Sequence, residues 1–513
     1  MNSSQNSPKN ETIGQLLRGL SSLFAPEERL VYVNRDIDFS HIKVVGFDLD
    51  YTLARYQQVE MDRLTLECVL PKLYEAGFPK QFQINRSETE FAMRGLVVDR
   101  LEGNILKLDR HGYVGHGFHG MQELDRKTLA KTYREQRIGV EKARFSPVDT
   151  LFSLPEVNLY AHAVDHFNQH ESKWKKGGVS SYEEIWDSIR RATDLSHQDD
   201  SIKGAIRKEP GRYVAFDPEL PAMLHRLRSL GKRVFLLTNS EPAHTETLLE
   251  LLLGETGRGY QDWKSFFDWV IVSARKPGFF THEAPFYKVE QGQLEQGPGS
   301  LRPKKGAIYS GGNQADFQKT LRVHADQVLF VGDHIYDDVV TSKKNYGWRT
   351  ALIVEELEHD LIVRRNWGLA IQEVEGQRTL RKALSREIAR MKFALNAMER
   401  SRTDQGVTLE GTQIPIKDYE DARNFLLQEV ARKRDELKRL SDTIVDLANR
   451  VSQAFNPYWG SLFWEAHDIS RFAQQAETFA CAYTSRASNF LFVAPDETLY
   501  AGTGKLAHSW WRR

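Results

Sequence analysis

Short apolar runs separated by stretches of helical periodicity set the pattern of the first 365 residues. Four runs are rich in β-branched and aromatic residues, which predicts buried strands; they are Val44–Phe47, Val234–Thr238, Trp269–Val272 and Val328–Gly332. Between them, stretches such as Leu220–Leu230 repeat apolar residues at helical spacing. Strands that alternate with helices are typical of a parallel sheet covered on both faces. The pattern therefore predicts an α/β fold with a doubly wound parallel sheet.

A long block separates the first predicted strand from the second. Because connections inside α/β units are short, residues 61–209 are predicted to be a large inserted cap that recognises the substrate. The catalytic core then comprises residues 30–60 and 210–365. A polar N-terminal segment, residues 1–29, precedes it.

Residues 366–513 change character and are predicted to form a helical C-terminal region. Apolar residues recur there at intervals of three and four in two groups: Leu380, Leu384, Ile388, Met391, Leu395 and Met398, then Leu437, Leu440, Ile444, Leu447, Val451 and Phe455. Packing on the core and packing at a subunit interface both explain such stripes, and the pattern leaves both open.

Composition narrows the class of protein. Lys plus Arg and Asp plus Glu number 70 each, so the formal charge is zero and no basic field indicates a nucleic-acid partner. The start of the chain lacks the apolar core of a secretion signal, and no stretch approaches the ~18 apolar residues of a membrane helix. Cys68 and Cys481 lack metal-ligand spacing and are predicted to be reduced thiols. We therefore expect a cytoplasmic protein with no membrane partner.

Polar residues follow three of the predicted strands. Asp48 and Asp50 come directly after the first. Thr238 ends the second, and Asp333 follows the last. Ligands of parallel sheets sit at the carboxyl ends of the strands, so we expect these groups to meet. Two converging carboxylates repel unless a cation lies between them; oxygen ligands suit Mg²⁺, and such an Asp can be the nucleophile of a phosphoryl transfer.

Four segments carry this chemistry: DLDYT at 48–52, LLTNS at 236–240, ARKP at 274–277 and VGDHIYDD at 331–338. Their order resembles the haloacid dehalogenase superfamily of phosphohydrolases, which implies a core of that type. Further motifs resemble the cytosolic purine 5'-nucleotidase family, the branch that prefers IMP and GMP; they are RGLVVD at 94–99, DTLFSLPE at 149–156, ARKPGFF at 274–280, YSGG at 309–312, SKKNYGWRT at 342–350 and GSLF at 460–463. The resemblance extends from about residue 30 to about residue 500.

The resemblance implies roles for the catalytic residues. Asp48 is the nucleophile that becomes an aspartyl phosphate. Asp50 protonates the leaving ribose oxygen and then activates water. Such a switch requires a pKa near the working pH, which burial beside other acids can supply. Thr238 donates to the transferring phosphoryl group, and Lys276 keeps Asp48 ionised.

The same resemblance implies a Mg²⁺ site. Asp333 ligates the ion together with Asp48 and the backbone carbonyl of Asp50. Asp338 lies on the same acidic turn and steadies Lys276 or the waters of the metal.

Three neighbours of these residues are open to more than one interpretation. One interpretation of His334 is a metal ligand, although an all-oxygen Mg²⁺ site does not require a histidine. Asp337 fits an N-cap. Asn239 either holds the substrate phosphate or caps the next helix.

In the cap, IRRATDLSH at 189–197 resembles the substrate-binding stretch of the family, with Lys203 following. Arg190 and Asp194 are four residues apart, so a helix places them on one face; spacing alone fits an ordinary salt bridge. Under the resemblance, Arg190 reads the purine with its planar donors, and Asp194 accepts from a ring nitrogen. His197 and Lys203 then contact phosphate or ribose.

The segment HGFHG at 116–120 resembles the part of the family that stacks on the base, and Phe118 is its stacking residue. His119, a further predicted substrate contact, stands where eukaryotic members carry Asn. Gln198 stands where they carry Tyr. These departures bear on base preference and leave the phosphoryl site unaffected.

The resemblance thus implies a Mg²⁺-dependent 5'-nucleotidase that hydrolyses purine 5'-monophosphates, IMP and GMP first, through an aspartyl phosphate. The covalent intermediate leaves phosphotransfer to a nucleoside acceptor open. The alternatives are a phosphatase with the same core that acts on another phosphorylated metabolite, and a non-catalytic nucleotide-sensing protein. The family and the helical tail favour a homo-oligomer.

Overall fold

The computed structural model describes residues 25–84, 90–133, 137–140, 142–254, 259–290, 292–294, 303–403, 406–409, 412–465, 468–502 and 506–508. Most of the polar segment predicted at 1–29 lies outside these residues. The chain divides into two compact units: Met1–His359 with Leu462–Arg513 forms the first, and Asp360–Ser461 forms the second. Among the described residues, no helix is both long and apolar enough to span a membrane.

A ten-stranded sheet organises the described part of the first unit. In spatial order its strands are Tyr32–Val33, Ala482–Thr484, Arg349–Ile353, Val328–Gly332, Val44–Phe47, Arg233–Leu237, Trp269–Val272, Ile308–Gly311, Phe286–Glu290 and Gln293–Leu294. The seven from Ala482–Thr484 to Ile308–Gly311 are parallel, and the pairs at both edges are antiparallel. A mixed α/β fold with a parallel-rich sheet is thus confirmed, and the four strands predicted from the sequence lie next to one another.

Burial explains why these central strands are almost uniformly apolar. Every residue of Val44–Phe47, Trp269–Val272 and Val328–Gly332 is buried, as expected for parallel strands covered on both faces. In the strand Val44–Phe47, a Cβ at Gly46 would lie 2.0 Å from the ring of Phe235 on the neighbouring strand. The strand that precedes the two acids therefore has no room for a side chain at this position.

The insertion between the first two predicted strands, residues 61–209, is called the cap below. It contains an antiparallel sheet with the spatial order Gln122–Glu123, Val114–His119, Asn104–Leu108, Leu96–Asp99 and Phe145–Pro147. The helices in and beside it are Gln58–Glu75, Arg126–Tyr133, Leu154–Lys176, Tyr182–Gln198, Ser201–Lys208 and Pro210–Tyr213. The Ser181 side chain accepts from the N–H of Glu184. This N-cap hydrogen bond fixes the start of the helix Tyr182–Gln198, which carries most of the predicted substrate-binding residues.

The remaining helical segments of the first unit are Glu27–Arg29, Leu151–Ser153, Leu220–Ser229, Pro242–Leu253, Trp263–Phe266, Gly278–Thr281, Gln314–Leu321, Ala325–Gln327, the π-helical segment Ile335–Val340, Thr341–Tyr346, Arg471–Phe479 and Ala487–Phe492. Its short paired strands are Ile37–Asp38 with Thr498–Leu499, Arg55–Tyr56 with Val214–Ala215, and Trp464–Glu465 with Asp468–Ile469. The helix predicted around Leu220–Leu230 is confirmed.

Two long helices, Glu356–Arg400 and Ile416–Phe455, account for most of the second unit. The strands Gly406–Leu409 and Thr412–Pro415 pair between them. Apolar residues from both helices are buried together in one cluster, namely Leu384, Ile388, Leu395 and Val430. For Leu384, Ile388 and Leu395 the predicted periodicity therefore reflects packing of these two helices on each other, a partner that the sequence pattern did not specify. Leu380, which the same pattern included, is 56 % exposed.

The last part of the chain departs from the helical region predicted at 366–513. Residues from Leu462 onward belong to the first unit, and the strand Ala482–Thr484 pairs with Arg349–Ile353 in the main sheet. This strand has only 3 residues. A run that short shows no recognisable period, so this strand could not be predicted from the sequence.

Candidate active site

Two acids leave neighbouring parallel strands at the same edge of the sheet. Asp48 follows Val44–Phe47, and Asp333 follows Val328–Gly332. Their side chains are buried, with 8 % and 5 % exposure. Together with buried Asp338, they place carboxylate oxygens within 4.8 Å of one another. The structure thus brings together acids from distant parts of the chain.

A buried lysine lies beside these acids. The Nζ of Lys276 is 2.9 Å from Oδ2 of Asp48 and 2.6 Å from Oδ1 of Asp338. Burial alone would lower the pKa of Lys276, but the two carboxylates raise that pKa above its ordinary value. The ammonium therefore stays charged and offsets part of the repulsion among the acids.

Asn239 holds the loop that presents Lys276. Its Oδ1 accepts from the backbone N–H of Lys276 at 2.6 Å, and its Nδ2 donates to the carbonyl of the same residue at 3.1 Å. The next helix begins at Pro242 after Glu241, without a side-chain cap. The helix-cap interpretation of Asn239 is therefore wrong, because the amide positions the lysine loop instead.

Asp338 reaches the acid cluster from the π-helical segment Ile335–Val340. Gly332 makes this approach possible, because a Cβ there would lie 2.4 Å from Oδ2 of Asp338. His334 caps the segment: its Nδ1 accepts from two backbone N–H groups of the following turn, each at 3.2 Å. The N-cap of this segment is thus His334 and not Asp337. Since Nδ1 of His334 is used in this way, a metal role through that atom is not supported.

The electrostatics of the cluster fit a divalent cation. Burial raises the pKa of Asp48 to about 7, against the opposing charge of Lys276. Burial, with the charges of Asp338 and Asp48, raises the pKa of Asp333 well above its ordinary value. Within the described chain, Oδ1 of Asp48 is buried without a hydrogen-bond partner. Three buried carboxylates beside one lysine leave an excess of negative charge that a hard cation such as Mg²⁺ would neutralise, with Asp48 and Asp333 as its ligands.

The side chain of Asp50 is held by three groups from other parts of the first unit. Tyr56 Oη lies 2.6 Å from its Oδ1, and Ser240 Oγ lies 2.6 Å from its Oδ2. His244 Nε2 lies 3.6 Å from Oδ1. Burial would raise the pKa of Asp50, but these contacts, led by His244, favour the charged form and hold the pKa below its ordinary value. The expectation that burial brings this pKa toward neutrality is therefore wrong, because the hydrogen bonds outweigh burial.

Thr238 follows the strand Arg233–Leu237 and is fully buried. Its backbone N–H donates to the carbonyl of Ile271 at 2.9 Å. Its Oγ1 accepts from the N–H of Ser240 at 3.0 Å. The hydroxyl oxygen is thus engaged by the chain at the end of this strand, and its role toward a phosphoryl group stays a prediction from the resemblance.

Arg190 in the cap pairs with a residue that the sequence did not assign to it. Its Nη1 lies 2.7 Å from Oε2 of Glu156, and the two side chains are 43 % and 4 % exposed. Asp194 adds only a longer-range charge to Arg190. Burial raises the pKa of Glu156 to about 7, and Arg190 opposes that rise. The interpretation of Arg190 and Asp194 as an ordinary salt bridge is thus wrong. Arg190 pairs instead with Glu156 of the neighbouring helix Leu154–Lys176.

Three aromatic residues lie between the cap and Asp50. The ring of Phe152 has its centroid 4.6 Å from that of Tyr51 and 5.9 Å from that of Tyr56. We call these three the aromatic cluster. Phe152 is half-buried, and its ring lies edge-on to His197 at 6.1 Å. A partly open ring therefore stands between the predicted substrate-binding stretch and the tyrosine that contacts Asp50.

His197 shares its surroundings with the other cap residues. Burial lowers the pKa of His197, and the charge of Lys203 lowers it further. The charges of Asp194 and Asp50 oppose this. Because the charges of Asp194, Lys203 and Asp50 all act on His197, these residues of the cap lie in the neighbourhood of Asp50.

Phe118 and His119 are engaged within the cap itself. Phe118 is 5 % exposed and packs edge-on against Phe91, with ring centroids 5.2 Å apart. His119 uses both ring nitrogens, which lie 2.8 Å from Oδ1 of Asn104 and 2.9 Å from Nδ2 of Asn168. A covered ring offers no open face to a base, so the structure does not favour Phe118 as a stacking residue; in the aromatic cluster only Phe152 is partly open.

A buried arginine fixes the backbone of one predicted metal ligand. The side chain of Arg94 is fully buried. Its Nη1 donates to the carbonyl of Asp333 at 3.2 Å, and its Nε donates to Oε1 of Glu356 at 2.8 Å. The guanidinium also lies over the ring of Phe472, 5.4 Å from its centroid. Arg94 thus ties the turn at Asp333 to the start of the helix Glu356–Arg400.

Several of these groups were not singled out from the sequence. Arg94, Phe152 and Glu156 lie inside motifs that carry the resemblance, so motif membership was the available signal. Tyr56 comes soon after DLDYT but has no chemical signature of its own. His244 had no signal at all, because only the fold brings its helix to Asp50.

Comparison with known proteins supports one family. The model of the 5' nucleotidase family matches residues 31–510. The 5'-nucleotidase domain-containing protein 2 of Homo sapiens is 27 % identical over 516 residues, which cover 96 % of this chain and 88 % of that protein. The protein of the same name from Rattus norvegicus is 27 % identical over 504 residues, which cover 93 % and 79 %.

Two solved structures align at low similarity. One is a "predicted phosphoglycolate phosphatase" from Haemophilus somnus 129pt, with a TM-score of 0.26 and 13 % identity over 61 % of this chain and 86 % of that chain. The other is CbbY from Rhodobacter sphaeroides in complex with phosphate, with a TM-score of 0.23 and 12 % identity over the same shares. At such TM-scores the description of the fold rests on the strand order alone.

Proposed function

Because the chain belongs to the 5' nucleotidase family of phosphoric monoester hydrolases, we propose that it hydrolyses purine nucleoside 5'-monophosphates, IMP and GMP first. The proposal includes Mg²⁺ as cofactor and a haloacid dehalogenase-like core. It also includes residues 61–209 as the substrate-recognition cap. A cytoplasmic location and a homo-oligomeric state stay predictions from the sequence.

The acid cluster is the observation that carries this proposal. Asp48, Asp333 and Asp338 converge within 4.8 Å, with Lys276 in contact with two of them. Such an arrangement combines a nucleophile, a cation site and a fixed positive charge, which are the requirements of phosphoryl transfer. When bound, Mg²⁺ supplies further positive charge to the phosphoryl group.

In the proposed reaction, an oxygen of Asp48 attacks phosphorus while the bond from phosphorus to the 5'-oxygen breaks. Asp50 gives a proton to that oxygen, and the nucleoside leaves. Asp50 then takes a proton from water, whose oxygen attacks phosphorus while the bond from phosphorus to the Asp48 oxygen breaks; phosphate leaves and the Asp48 carboxylate is restored. Lys276 and Thr238 hold the phosphoryl oxygens during both steps. A bound phosphate places negative charge beside Asp50 and raises its pKa, so the acid acquires its proton in the complex.

The cap supplies base recognition in this proposal. Phe152 is half-buried and adjoins the acids through Tyr56, so a purine can stack on its open face. Arg190 is held by Glu156 and keeps 43 % of its side chain exposed, which leaves donors for a purine acceptor. Asp194 then accepts from a ring nitrogen. His197 and Lys203, whose charges act on each other, contact ribose or phosphate.

The proposal is tested by phosphate release from a panel of all 5'-mononucleotides, with and without Mg²⁺. We expect purine monophosphates to be hydrolysed fastest, EDTA to abolish release, and Mg²⁺ to restore it. Asp48→Asn should remove turnover while leaving the fold and nucleotide binding intact, because it removes the nucleophile at nearly constant shape. Asp326→Asn, which changes an exposed acid paired with His41, is the matched control.

Three results would contradict parts of this proposal. Activity in Asp48→Asn at the wild-type rate would remove the nucleophile assignment. Full activity after thorough chelation would remove the metal role. Release from other phosphorylated metabolites, with none from nucleotides, would favour the phosphatase alternative.

A further inference from the structure

We propose that His244 and Tyr56 are positioning residues that hold the carboxyl group of Asp50 for proton transfer to the leaving oxygen. The inference rests on the proposed function, since it concerns the same site and deepens it. Neither residue belongs to the segments that carry the predicted catalytic chemistry.

Both oxygens of Asp50 are held by hydroxyl groups. Tyr56 Oη lies 2.6 Å from Oδ1, and Ser240 Oγ lies 2.6 Å from Oδ2. Two donors on opposite oxygens restrict rotation of the carboxyl group about its bond to Cβ. The plane of the acid is therefore set by the chain before substrate binds.

His244 extends this arrangement behind Tyr56. Its Nε2 lies 3.2 Å from Tyr56 Oη and 3.6 Å from Oδ1 of Asp50. A tyrosine hydroxyl has one hydrogen, and the short contact to Asp50 uses it. Tyr56 Oη is then an acceptor toward His244, so Nε2 carries a hydrogen and donates it.

The other ring nitrogen of His244, Nδ1, makes no hydrogen bond to the described residues. His244 is 2 % exposed, and its Nδ1 is buried without a hydrogen-bond partner. Burial of an unpaired polar atom destabilises a fold, so a residue kept only for packing would favour an apolar side chain. The described polar contacts of His244 are those with Tyr56 and Asp50.

The elements around Tyr56 keep its hydroxyl in place. Tyr56 lies in the strand Arg55–Tyr56, which pairs with Val214–Ala215. Its ring packs against Tyr51, with centroids 4.9 Å apart, and against Phe152. His244 lies in the first turn of the helix Pro242–Leu253. Proton transfer requires an acid within hydrogen-bond reach of the leaving oxygen, and this framework provides a fixed direction for it.

The test compares leaving groups that differ in their need for a proton. A ribose 5'-oxygen leaves poorly unless it is protonated, whereas p-nitrophenolate leaves readily without an acid. We expect Tyr56→Phe to lower kcat/KM for the nucleotide by at least about 10-fold, and kcat/KM for p-nitrophenyl phosphate by no more than about 3-fold. The ratio kcat/KM is compared because it reports the steps through departure of the leaving group and not the later hydrolysis of the aspartyl phosphate, which both substrates share. His244→Phe should act in the same direction. His244→Gln, which keeps an N–H donor, should restore nucleotide turnover to within about 3-fold of wild type.

A second histidine and tyrosine pair provides the control. Nδ1 of His225 lies 3.1 Å from Tyr260 Oη in the same unit, and His225→Phe should leave both activities unchanged. Equal losses on both substrates, or no loss, would overturn the inference. If His244→Phe does not fold, Tyr56→Phe and His244→Gln decide the question. If wild type hydrolyses other phosphate esters but no nucleotide, the proposed substrate fails, and an alkyl phosphate replaces the nucleotide in the same comparison.

Discussion

At the scale of single residues, the site depends on how each buried charge is compensated. Lys276 contacts two buried acids, and their charges raise the pKa of its ammonium group. Asp50 receives two hydroxyl donors, and Glu156 receives one guanidinium. Asp62 receives only the amide of Gln58 among its described hydrogen bonds. These differences lead to separate predictions about pH and substrate.

Asp62→Asn should stabilise the protein at high pH more than at low pH. Asp62 is 4 % exposed, and burial raises its pKa to about 7. Between about pH 4 and about pH 7 the folded state keeps a proton that the unfolded state has released, so the free energy of unfolding falls as pH rises. Asn keeps the acceptor for Nε2 of Gln58, which lies 2.7 Å from Oδ1, and removes the charge.

The measurement is the Tm of wild type and Asp62→Asn from pH 4 to pH 8. The free energy of unfolding of Asp62→Asn should exceed that of wild type by an amount that grows with pH across this range and reaches at most about 4 kcal/mol. Asp496→Asn, at an exposed position, is the control. An advantage that stays constant with pH would show that burial does not shift the pKa of Asp62.

Arg190→Ala should impair nucleotide hydrolysis more than hydrolysis of an aryl phosphate that has no base. A lost hydrogen bond from a charged group predicts a fall of about 10- to 100-fold in kcat/KM for IMP and GMP. Arg191→Ala is the matched control, because Arg191 is exposed and its Nη2 contacts Oγ of Ser188 at 3.3 Å. Equal losses on both substrates in Arg190→Ala would remove this residue from base recognition.

The residues that the sequence identified are those whose chemistry shows in a short segment. Asp48, Asp333 and Lys276 each stand next to an apolar strand or turn, and the resemblance gave them roles. The structure places them in contact range. Phe118 was favoured for stacking because it is aromatic in a matching segment, but burial against Phe91 is not visible in a sequence. His244 shows the same limit in reverse, because a long-range contact leaves no local pattern.

At the scale of elements, the turn after Val328–Gly332 determines the shape of the proposed metal site. It carries Asp333 and continues into the π-helical segment Ile335–Val340, which delivers Asp338. His334 is the N-cap of that segment, and its side chain accepts from two backbone N–H groups of the turn. Arg94 donates to the backbone carbonyl of Asp333. The geometry of Asp333 and Asp338 is thus set in part by hydrogen bonds that His334 and Arg94 make to the backbone of this turn.

Arg94→Lys should weaken Mg²⁺ activation. Lys cannot donate at once to the carbonyl of Asp333 and the carboxylate of Glu356, as the fork of Arg94 does. Loss of such a supporting contact typically weakens metal affinity by about 10- to 100-fold. The concentration of Mg²⁺ that gives half-maximal activity should rise accordingly.

The control for this variant is Arg100→Lys, since Arg100 pairs with Glu183 and Asp187 elsewhere in the cap region. A lower Tm in Arg94→Lys with an unchanged Mg²⁺ requirement would assign Arg94 to stability alone. Mg²⁺ titrations of activity and thermal unfolding distinguish the two results.

Elements buried on both faces were predictable, and short edge elements were not. The four central strands were found because their apolar runs are uninterrupted. The strands Tyr32–Val33 and Ala482–Thr484 have too few residues to show a period. The two long helices of the second unit were predicted from their stripes, but a stripe shows only that a face is buried and does not name its partner.

At the scale of the whole molecule, family membership and fold class followed from the sequence, whereas the division of the chain did not. Motifs spread over the chain led to the 5' nucleotidase family, which the family model matching residues 31–510 confirms. The boundaries of the C-terminal region differ from the prediction, because residues after Leu462 return to the first unit. The sequence therefore predicted which strand ends carry the acids better than it predicted which segments complete the sheet.

This return has a consequence for synthesis on the ribosome. The strand Ala482–Thr484 lies between Arg349–Ile353 and Tyr32–Val33 in the sheet, yet it is translated long after both. Until it emerges, the nascent chain presents two open strand edges while the helices of the second unit are being made. Open edges invite pairing with other chains, so a newly made polypeptide that stalls before residue 482 is exposed to aggregation at the margin of its own catalytic sheet.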